Sequence, residues 1–191
     1  MKRDMMAEVA ATLAFSTIAN NDKVGVIFFS DKIEKYIPAQ KGKTHVLHII
    51  RELLSFEPNS KGTDMAQALQ YFANAQKRHC TAFLISDFIG AGAVDKPLLI
   101  ASNRHEVNAI QIYDRREAEL PNIGLVKFHD AESDKDLWID TSLATVRDDY
   151  AQAWKQNQDL LEQLFTRTGV NHISVRTDED YVKALMHLFR C

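Results

Sequence analysis

The stretch Thr81-Ala82-Phe83-Leu84-Ile85-Ser86-Asp87 is a short apolar run that ends in a hydroxyl and a carboxylate. Runs without polar alternation are typical of strands that are covered on both faces, as in parallel sheets. Two further runs, at residues 24–29 and 107–112, follow the same pattern. Helical periodicity between the runs predicts alternating strands and helices, and therefore an α/β fold: a mostly parallel sheet with helices on both faces.

The remaining elements extend this pattern along the chain. We expect helices at residues 4–20, 44–54, 64–76, 96–103, 145–168 and 178–189. The further expected strands are an edge strand at 33–37 that ends at Pro38, a hairpin formed by 126–128 and 137–139, and a last strand at 170–175. Because no repeat or linker interrupts the sequence, residues 1–191 are predicted to form a single domain.

The composition carries no signature of nucleic-acid binding or of a membrane span. The 191 residues are 46% hydrophobic and 26% charged, and the net charge of -3 provides no basic field to attract nucleic acid. No apolar segment approaches the roughly 20 residues that span a bilayer. The two cysteines, Cys80 and Cys191, form no metal or redox motif, so a reducing cytoplasm is the expected location.

Two short motifs place oxygen atoms where a metal ion could bind. In α/β sheets, ligands bind at the carboxyl ends of strands, and Asp87 follows such a strand directly. The second motif, Ser60-Lys61-Gly62-Thr63-Asp64, opens a predicted helix. Thr63 and Asp87 are therefore candidate ligands of a hard cation such as Mg²⁺, with Asp64 and Ser86 as supporting residues. The simpler alternatives are a helix N-cap at Asp64 and a turn-forming role for Asp87.

A glycine-containing loop follows Asp87. The sequence Gly90-Ala91-Gly92-Ala93-Val94-Asp95 comes close to the dinucleotide-binding pattern G-x-G-x-x-G, but its last position is Asp. Such a near-match is a weak signal, so we expect a flexible loop beside Asp87. A nucleotide- or phosphate-binding enzyme that uses Asp87 and this loop is the alternative function.

An ordered set of segments points to one family. The segments are Asn21-Asp22-Lys23-Val24-Gly25-Val26-Ile27-Phe28-Phe29-Ser30-Asp31, Lys61-Gly62-Thr63-Asp64, Leu84-Ile85-Ser86-Asp87-Phe88, Arg104-His105-Glu106-Val107, Glu119-Leu120-Pro121, Asp140-Thr141 and Thr177-Asp178-Glu179-Asp180-Tyr181. Together they cover nearly the whole chain. In this order they resemble the von Willebrand factor A-like domain of a bacterial family of uncharacterised function that is encoded beside MoxR-type AAA+ ATPases.

The resemblance implies a von Willebrand factor A fold, which is Rossmann-like. It also implies a non-enzymatic protein-binding domain that works with a MoxR-type AAA+ ATPase in protein assembly or maturation. Thr63 and Asp87 match positions of that family's metal-ion-dependent adhesion site, in which an acidic side chain of a protein partner completes the coordination. The family's first strand carries an Asp-x-Ser-x-Ser motif, which this sequence lacks. We therefore expect an N-terminally incomplete domain whose full-length parent binds Mg²⁺, while this chain binds it weakly or not at all.

The missing strand leads to an expectation about the sheet. In the family fold it is central and lies between the strands at 24–29 and 81–85. Its absence leaves unpaired backbone groups, each of which costs on the order of 1–3 kcal/mol when buried. We expect direct pairing of the two strands, a gap filled by another segment or chain, or marginal stability. A purely structural interaction domain without metal is a further functional alternative.

Overall fold

The computed structural model describes residues 2–60, 62–90, 92–130 and 135–189. Lys61 of the second motif, Ala91 of the glycine-containing loop, the hairpin turn at 131–134 and Cys191 lie outside the described residues. In the described part, helices and strands follow one another in this order: α1 (Lys2–Asn20), β1 (Val24–Phe29), β2 (Ile33–Gln40), α2 (Lys43–Ser55), α3 (Met65–Ala75), β3 (Thr81–Ser86), α4 (Asp95–Ser102), β4 (Glu106–Tyr113), α5 (Arg115–Ala118), β5 (Leu125–Asp130), β6 (Lys135–Asp140), α6 (Ala144–Thr168), β7 (Asn171–Arg176) and α7 (Tyr181–Leu188).

The central sheet consists of three parallel strands in the order β3-β4-β7. Thr81 of β3 pairs with Glu106 of β4, and Ile110 of β4 pairs with Ile173 of β7. Each connection between neighbouring strands contains a helix, which is the usual crossover between parallel strands. The predicted α/β fold with a mostly parallel sheet is confirmed.

Alternating residues of β4 face two hydrophobic clusters on opposite sides of this sheet. Val107 and Ala109 pack with buried residues of α3, α4 and α6. Ile110 and Ile112 pack with residues of α1, α7 and β7 on the other side. Because side chains alternate between the two faces of a strand, one apolar strand contacts both helical layers. The prediction of helices on both faces is confirmed.

Strands β1 and β2 form a separate antiparallel hairpin. Its register shifts beside Gly25, where a Cβ atom would lie 2.7 Å from the carbonyl oxygen of Ile37, so the close approach requires glycine. The expectation that Pro38 ends β2 is wrong, because the strand continues to Gln40. Pro38 lies opposite the register shift, where a missing N–H group removes no regular ladder hydrogen bond.

Strands β1 and β3 each pair on one side only within the described part of the chain. Phe29 of β1 and Leu84 of β3 pack on the same hydrophobic cluster as Met65 of α3. Helix α1 contributes Leu13 to the cluster behind β4 and Ala14 to the cluster of the β1–β2 hairpin. Of the three expected outcomes, direct pairing of β1 with β3 is not found among the described residues, and packing on α1 and α3 joins the two sheets without a shared ladder. The two other outcomes stay predictions: that another segment or chain fills the gap between β1 and β3, or that the domain is marginally stable.

The observed elements differ from the predicted ones mainly at their ends. Helix α7 begins at Tyr181 rather than Asp178, because Asp180 caps it by accepting a hydrogen bond from the backbone N–H of Val182 at 3.0 Å. Helix α6 ends as expected before Gly169, whose φ of 66° is left-handed. None of the described helices is long and apolar enough to cross a membrane.

Candidate cation site at the end of strand β3

Asp87 follows β3 directly and stands at the carboxyl edge of the central sheet. Its Oδ1 atom accepts a hydrogen bond from the backbone N–H of Ile89 at 3.2 Å, which forms a local turn. Its Oδ2 atom accepts a hydrogen bond from Nζ of Lys2 at 2.7 Å. The backbone carbonyl of Asp87 accepts from Nε2 of Gln111 at 3.3 Å, so β4 also holds this residue. The turn-forming role of Asp87 is confirmed, and its other carboxylate oxygen contacts a positive charge.

The ammonium group of Lys2 bridges two carboxylates, those of Asp87 and Glu117. Partial burial lowers the pKa of Lys2, but the hydrogen bonds to Asp87 and Glu117 outweigh it, and the pKa is raised overall. Lysine therefore stays charged here at neutral pH. This edge of the sheet thus holds a positive charge supplied by the chain itself.

Glu117 is a further candidate site residue that belongs to neither of the two predicted motifs. It belongs to the short helix α5 after β4, and its Oε2 atom accepts a hydrogen bond from the backbone N–H of Asp114 at 3.0 Å. Asp114 in turn accepts from the backbone N–H of Arg116 at 2.9 Å. This capping box orients Glu117 so that its other oxygen reaches Lys2. The available sequence signal is the capping pattern Asp-x-x-Glu at residues 114–117.

Thr63 and Asp64 are exposed at the start of α3. Asp64 caps the helix, because its Oδ1 atom accepts a hydrogen bond from the backbone N–H of Gln67 at 2.8 Å. Its own backbone N–H donates to the carbonyl of Ser30 at 2.8 Å and ties α3 to the end of β1. The N-cap alternative is confirmed, while metal support by Asp64 stays a prediction. In the described residues, the hydrogen bonds of Asp87 involve neither Thr63 nor Asp64.

The residues on either side of Asp87 hold it in a strained loop. Ser86 is buried, and its Oγ atom accepts a hydrogen bond from the backbone N–H of Phe88 at 3.1 Å. Phe88 has a φ of 57°, a left-handed conformation that costs a bulky residue roughly 1–3 kcal/mol. Its buried ring packs against Phe165 with a centroid distance of 5.2 Å. Ser86 and Phe88 thus fix the direction of Asp87, and metal support by Ser86 stays a prediction.

A cavity of about 600 Å³ lies beside Asp87, between the loop after β3 and helix α6. Its charged lining consists of Asp87, Asp95, Glu117 and Arg167. Arg167 forms an ion pair with Asp95. Trp154 contributes to the apolar wall. Asp87 and Glu117 share Lys2, and Asp95 pairs with Arg167, so the three carboxylates exceed these two cations by one and the electrostatics oppose the binding of phosphate.

The donor types of Thr63 and Asp87 suit a hard cation, but their number falls short of a complete site. Thr63 offers one hydroxyl and Asp87 one carboxylate, whereas Mg²⁺ prefers a near-octahedral set of oxygen ligands. Among the described residues, no three His, Cys, Asp or Glu side chains are grouped so that they could hold a metal ion. A cation at Asp87 also has to share or replace the contact with Lys2. Thr63 and Asp87 alone do not make a complete metal site, and metal binding by them stays a prediction.

Sequence comparison places the chain in a family. The sequence profile described as "Protein of unknown function DUF58" matches residues 1–160. The chain belongs to the DUF58 family. The DUF58 chain is 30% identical over 185 residues to "Uncharacterized protein Rv1480" of Mycobacterium tuberculosis, covering 95% of this chain and 57% of that protein. It is also 30% identical to "Uncharacterized protein MAV169" of Mycobacterium avium over 158 residues, covering 81% of this chain and 92% of the relative. The chain thus spans little more than half the length of the tuberculosis relative.

Two solved structures share the fold of this DUF58 chain. An aerotolerance-related membrane protein from Bacteroides fragilis matches with a TM-score of 0.60 and 16% identity, covering 97% of this chain and 89% of that one. The conserved hypothetical protein BatB from Bacteroides thetaiotaomicron matches with a TM-score of 0.54 and 16% identity, covering 96% and 86% of the two chains. At this level of identity the similarity establishes the α/β fold alone.

Proposed function

We propose that this chain is a non-enzymatic protein-binding domain of the von Willebrand factor A type with a partial metal-ion-dependent adhesion site. Its proposed partner is a protein, and specifically a MoxR-type AAA+ ATPase, in protein assembly or maturation. The observation that carries the proposal is the position of Asp87. This carboxylate ends a parallel strand, and an internal turn and a strained neighbour hold it in place. Ligands of open α/β sheets bind at this edge.

The metal part of the proposal assigns a role to each predicted residue. Asp87 and Thr63 would contribute a carboxylate and a hydroxyl to Mg²⁺, and Asp64 and Ser86 would fix the backbone that carries them. The Asp64 cap and the Ser86–Phe88 hydrogen bond support this division of roles. The bound cation would leave a position for an acidic side chain of the partner, so that the protein binds without making or breaking a covalent bond.

The second candidate, a nucleotide- or phosphate-binding enzyme, would use the cavity between the loop after β3 and helix α6. The size of this cavity, about 600 Å³, suits a small ligand. Its lining is unfavourable for phosphate, because Asp87 and Glu117 share the ammonium group of Lys2 and Asp95 pairs with Arg167, so the carboxylates exceed these two cations by one. We therefore favour protein binding. A thermal shift produced by nucleotides would favour the enzyme instead.

Calorimetric titration with Mg²⁺ tests the metal site. We expect weak or absent binding to the 191-residue chain, and clear binding once a strand that carries the Asp-x-Ser-x-Ser motif of the resembled family is added in front of it. In the extended protein, Asp87→Ala should abolish binding, and Thr63→Ala should weaken it without unfolding the domain. Asp95→Asn is the matched control, because this carboxylate lines the same cavity but pairs with Arg167.

Two results would contradict the proposal. Micromolar binding of Mg²⁺ by the 191-residue chain that survives Asp87→Ala would place the metal site elsewhere. If a purified MoxR-type ATPase bound the extended protein equally with and without Asp87→Ala, partner binding would not involve the proposed metal site. The expected result is partner binding that requires both Mg²⁺ and Asp87.

A further inference from the structure

Two carboxylates at the carboxyl edge of the central sheet converge on one side-chain nitrogen. Asp87 follows β3 and Glu117 lies in α5, and the Nζ atom of Lys2 donates to Oδ2 of Asp87 at 2.7 Å and to Oε1 of Glu117. The side chains of Lys2, Asp87 and Glu117 are 27%, 31% and 22% exposed. Because they are partly buried, salt screens their attraction less than it screens a surface ion pair. We call this contact the Lys2 bridge.

The backbone holds the second oxygen of each carboxylate. Oδ1 of Asp87 accepts a hydrogen bond from the N–H group of Ile89 at 3.2 Å, and Oε2 of Glu117 accepts one from the N–H group of Asp114 at 3.0 Å. Each carboxylate therefore has one oxygen fixed by its own turn, while the other oxygen contacts the ammonium group of Lys2. A cation that binds to Asp87 meets the oxygen that Lys2 already holds.

An ammonium group and a magnesium ion seek the same kind of atom. Lysine donates three N–H groups to oxygen acceptors, and Mg²⁺ is bound through one or two carboxylates and several waters. The two carboxylates of the Lys2 bridge carry two negative charges, and the ammonium group neutralises only one of them. A divalent cation neutralises both, so the charge at this point favours Mg²⁺ over a monovalent cation.

The Lys2 bridge is accessible from solvent. Asp87 and Glu117 both line the cavity of about 600 Å³ between the loop after β3 and helix α6. The other charged residues of this lining, Asp95 and Arg167, form an ion pair with each other and add no net charge. The flexible four-carbon stem of lysine allows the ammonium group to turn away without movement of the backbone. An exchange of cations at this point therefore requires no opening of the core.

We propose that Lys2 is an internal competitor for the cation at Asp87. Its ammonium group neutralises this carboxylate and that of Glu117 in the absence of metal, and it is displaced from Oδ2 of Asp87 when Mg²⁺ binds. The bridge thus sets the concentration of Mg²⁺ at which the site fills. It also sets when a partner binds, because the carboxylates keep a net negative charge beside Lys2 and repel an acidic side chain. This inference rests on the proposed metal site and adds the regulation of that site.

Titration of the 191-residue chain with Mg²⁺ at constant ionic strength tests the competition, with the shift of the thermal unfolding midpoint as the readout. We expect Lys2→Gln to bind Mg²⁺ at least about tenfold more tightly than the wild type, which corresponds to the loss of one modest ion pair. Lys2→Arg keeps the charge and should bind as weakly as the wild type. Adding Asp87→Asn to Lys2→Gln should remove the gain. Lys35→Gln is the matched control, because it removes the same charge from an ion pair with Glu52 on α2.

Circular dichroism establishes that each variant is folded, and Lys2→Met, which keeps an apolar stem, replaces Lys2→Gln if the latter is not. Equal affinities of the wild type and Lys2→Gln for Mg²⁺ overturn the proposal. So does a gain that survives Asp87→Asn, or an equal gain in Lys35→Gln, which would reflect net charge alone. The proposed metal site fails by a different result, namely binding of Mg²⁺ to the extended protein that survives Asp87→Ala.

Discussion

The neighbouring strands β3 and β4 have similar apolar sequences but very different environments. In β4, six consecutive residues from 107 to 112 are buried, whereas in β3 only Ser86 is buried. The difference follows from pairing: β4 lies between β3 and β7, while β3 has a partner on one side only in the described part of the chain. The environment of a strand in this protein is thus set by its neighbours and not by its hydrophobicity.

Even polar residues are buried in β4, whereas apolar residues of β3 stay partly exposed. Asn108 and Gln111 are buried, and each has a partner on β7: Asn171 donates to Asn108 at 3.3 Å, and Ser174 donates to Gln111 at 2.8 Å. Buried polar groups are tolerated when they are hydrogen-bonded in this way. In β3, by contrast, even the apolar Leu84 remains partly exposed.

The largest expected effect is a difference in the free energy of unfolding between variants of two isoleucines that lie opposite each other in the sheet. Ile85 of β3 pairs directly with Ile110 of β4, and both pack on the same hydrophobic cluster. Ile110 is 0% exposed, so Ile110→Ala should lower the free energy of unfolding by about 3–4 kcal/mol. Ile85→Ala should lower it by only about 1 kcal/mol, because less surface is buried there. Urea denaturation measures both, and equal losses would show that the free edge of β3 does not exist in solution.

Adding a neighbouring strand to β3 should reduce the difference in stability cost between Ile85→Ala in β3 and Ile110→Ala in β4. In a chain extended by the upstream strand that the family resemblance implies, the free edges of β1 and β3 would gain a partner. The cost of Ile85→Ala should then rise by about 1–2 kcal/mol, towards that of Ile110→Ala, which serves as the unchanged control. An unchanged cost for Ile85→Ala would mean that the added strand does not pair with β3.

The smallest effect concerns the opposite ends of these strands. Cys80 precedes β3 and His105 precedes β4, with Sγ and Nδ1 at 3.6 Å, and His105 is buried with no partner for Nε2 among the described residues. Burial lowers the pKa of His105, with His79 and Arg104 adding to the effect. Below the ordinary value near 6.5, the unfolded chain therefore takes up a proton more readily than the folded chain.

The free energy of unfolding should consequently fall as the pH drops below about 6.5, and the contribution of His105 should be fully present above it. We expect an effect of roughly 1 kcal/mol or less. His105→Phe should reduce the pH dependence while keeping the ring contact with Phe72. An identical pH dependence of the two proteins in urea denaturation would assign the effect to other histidines.

Most of the architecture could be predicted because it depends on local patterns. The apolar runs of β1, β3 and β4 and the glycine after α6 mark their elements directly. The end of β2 was not predictable from Pro38, because the tolerance for proline depends on a register shift in the partner strand. The open edge of β3 has no local signal either, since it depends on which other strands are present.

Some residues of the candidate site could likewise be predicted from local sequence, whereas others depend on distant contacts. Asp87 could be found from its position at the end of an apolar run, and Asp64 from its place before a helix. The contacts of Lys2 could not be predicted from the sequence, because its partners Asp87 and Glu117 lie 85 and 115 positions further along the chain. Such long-range ion pairs follow from the packing of α1 against β3 and β4, which no local pattern encodes.

Phe88 illustrates what this packing does to a single position. Its backbone conformation suits glycine, but its ring fills a place in the core against Phe165. Glycine would relax the backbone and leave a cavity, and any other large residue would keep the backbone strain. The two demands cannot be met by one residue type, so the position is locally frustrated in the sense of energy landscapes. The loop that carries Asp87 is therefore where this fold gives up stability to maintain an orientation.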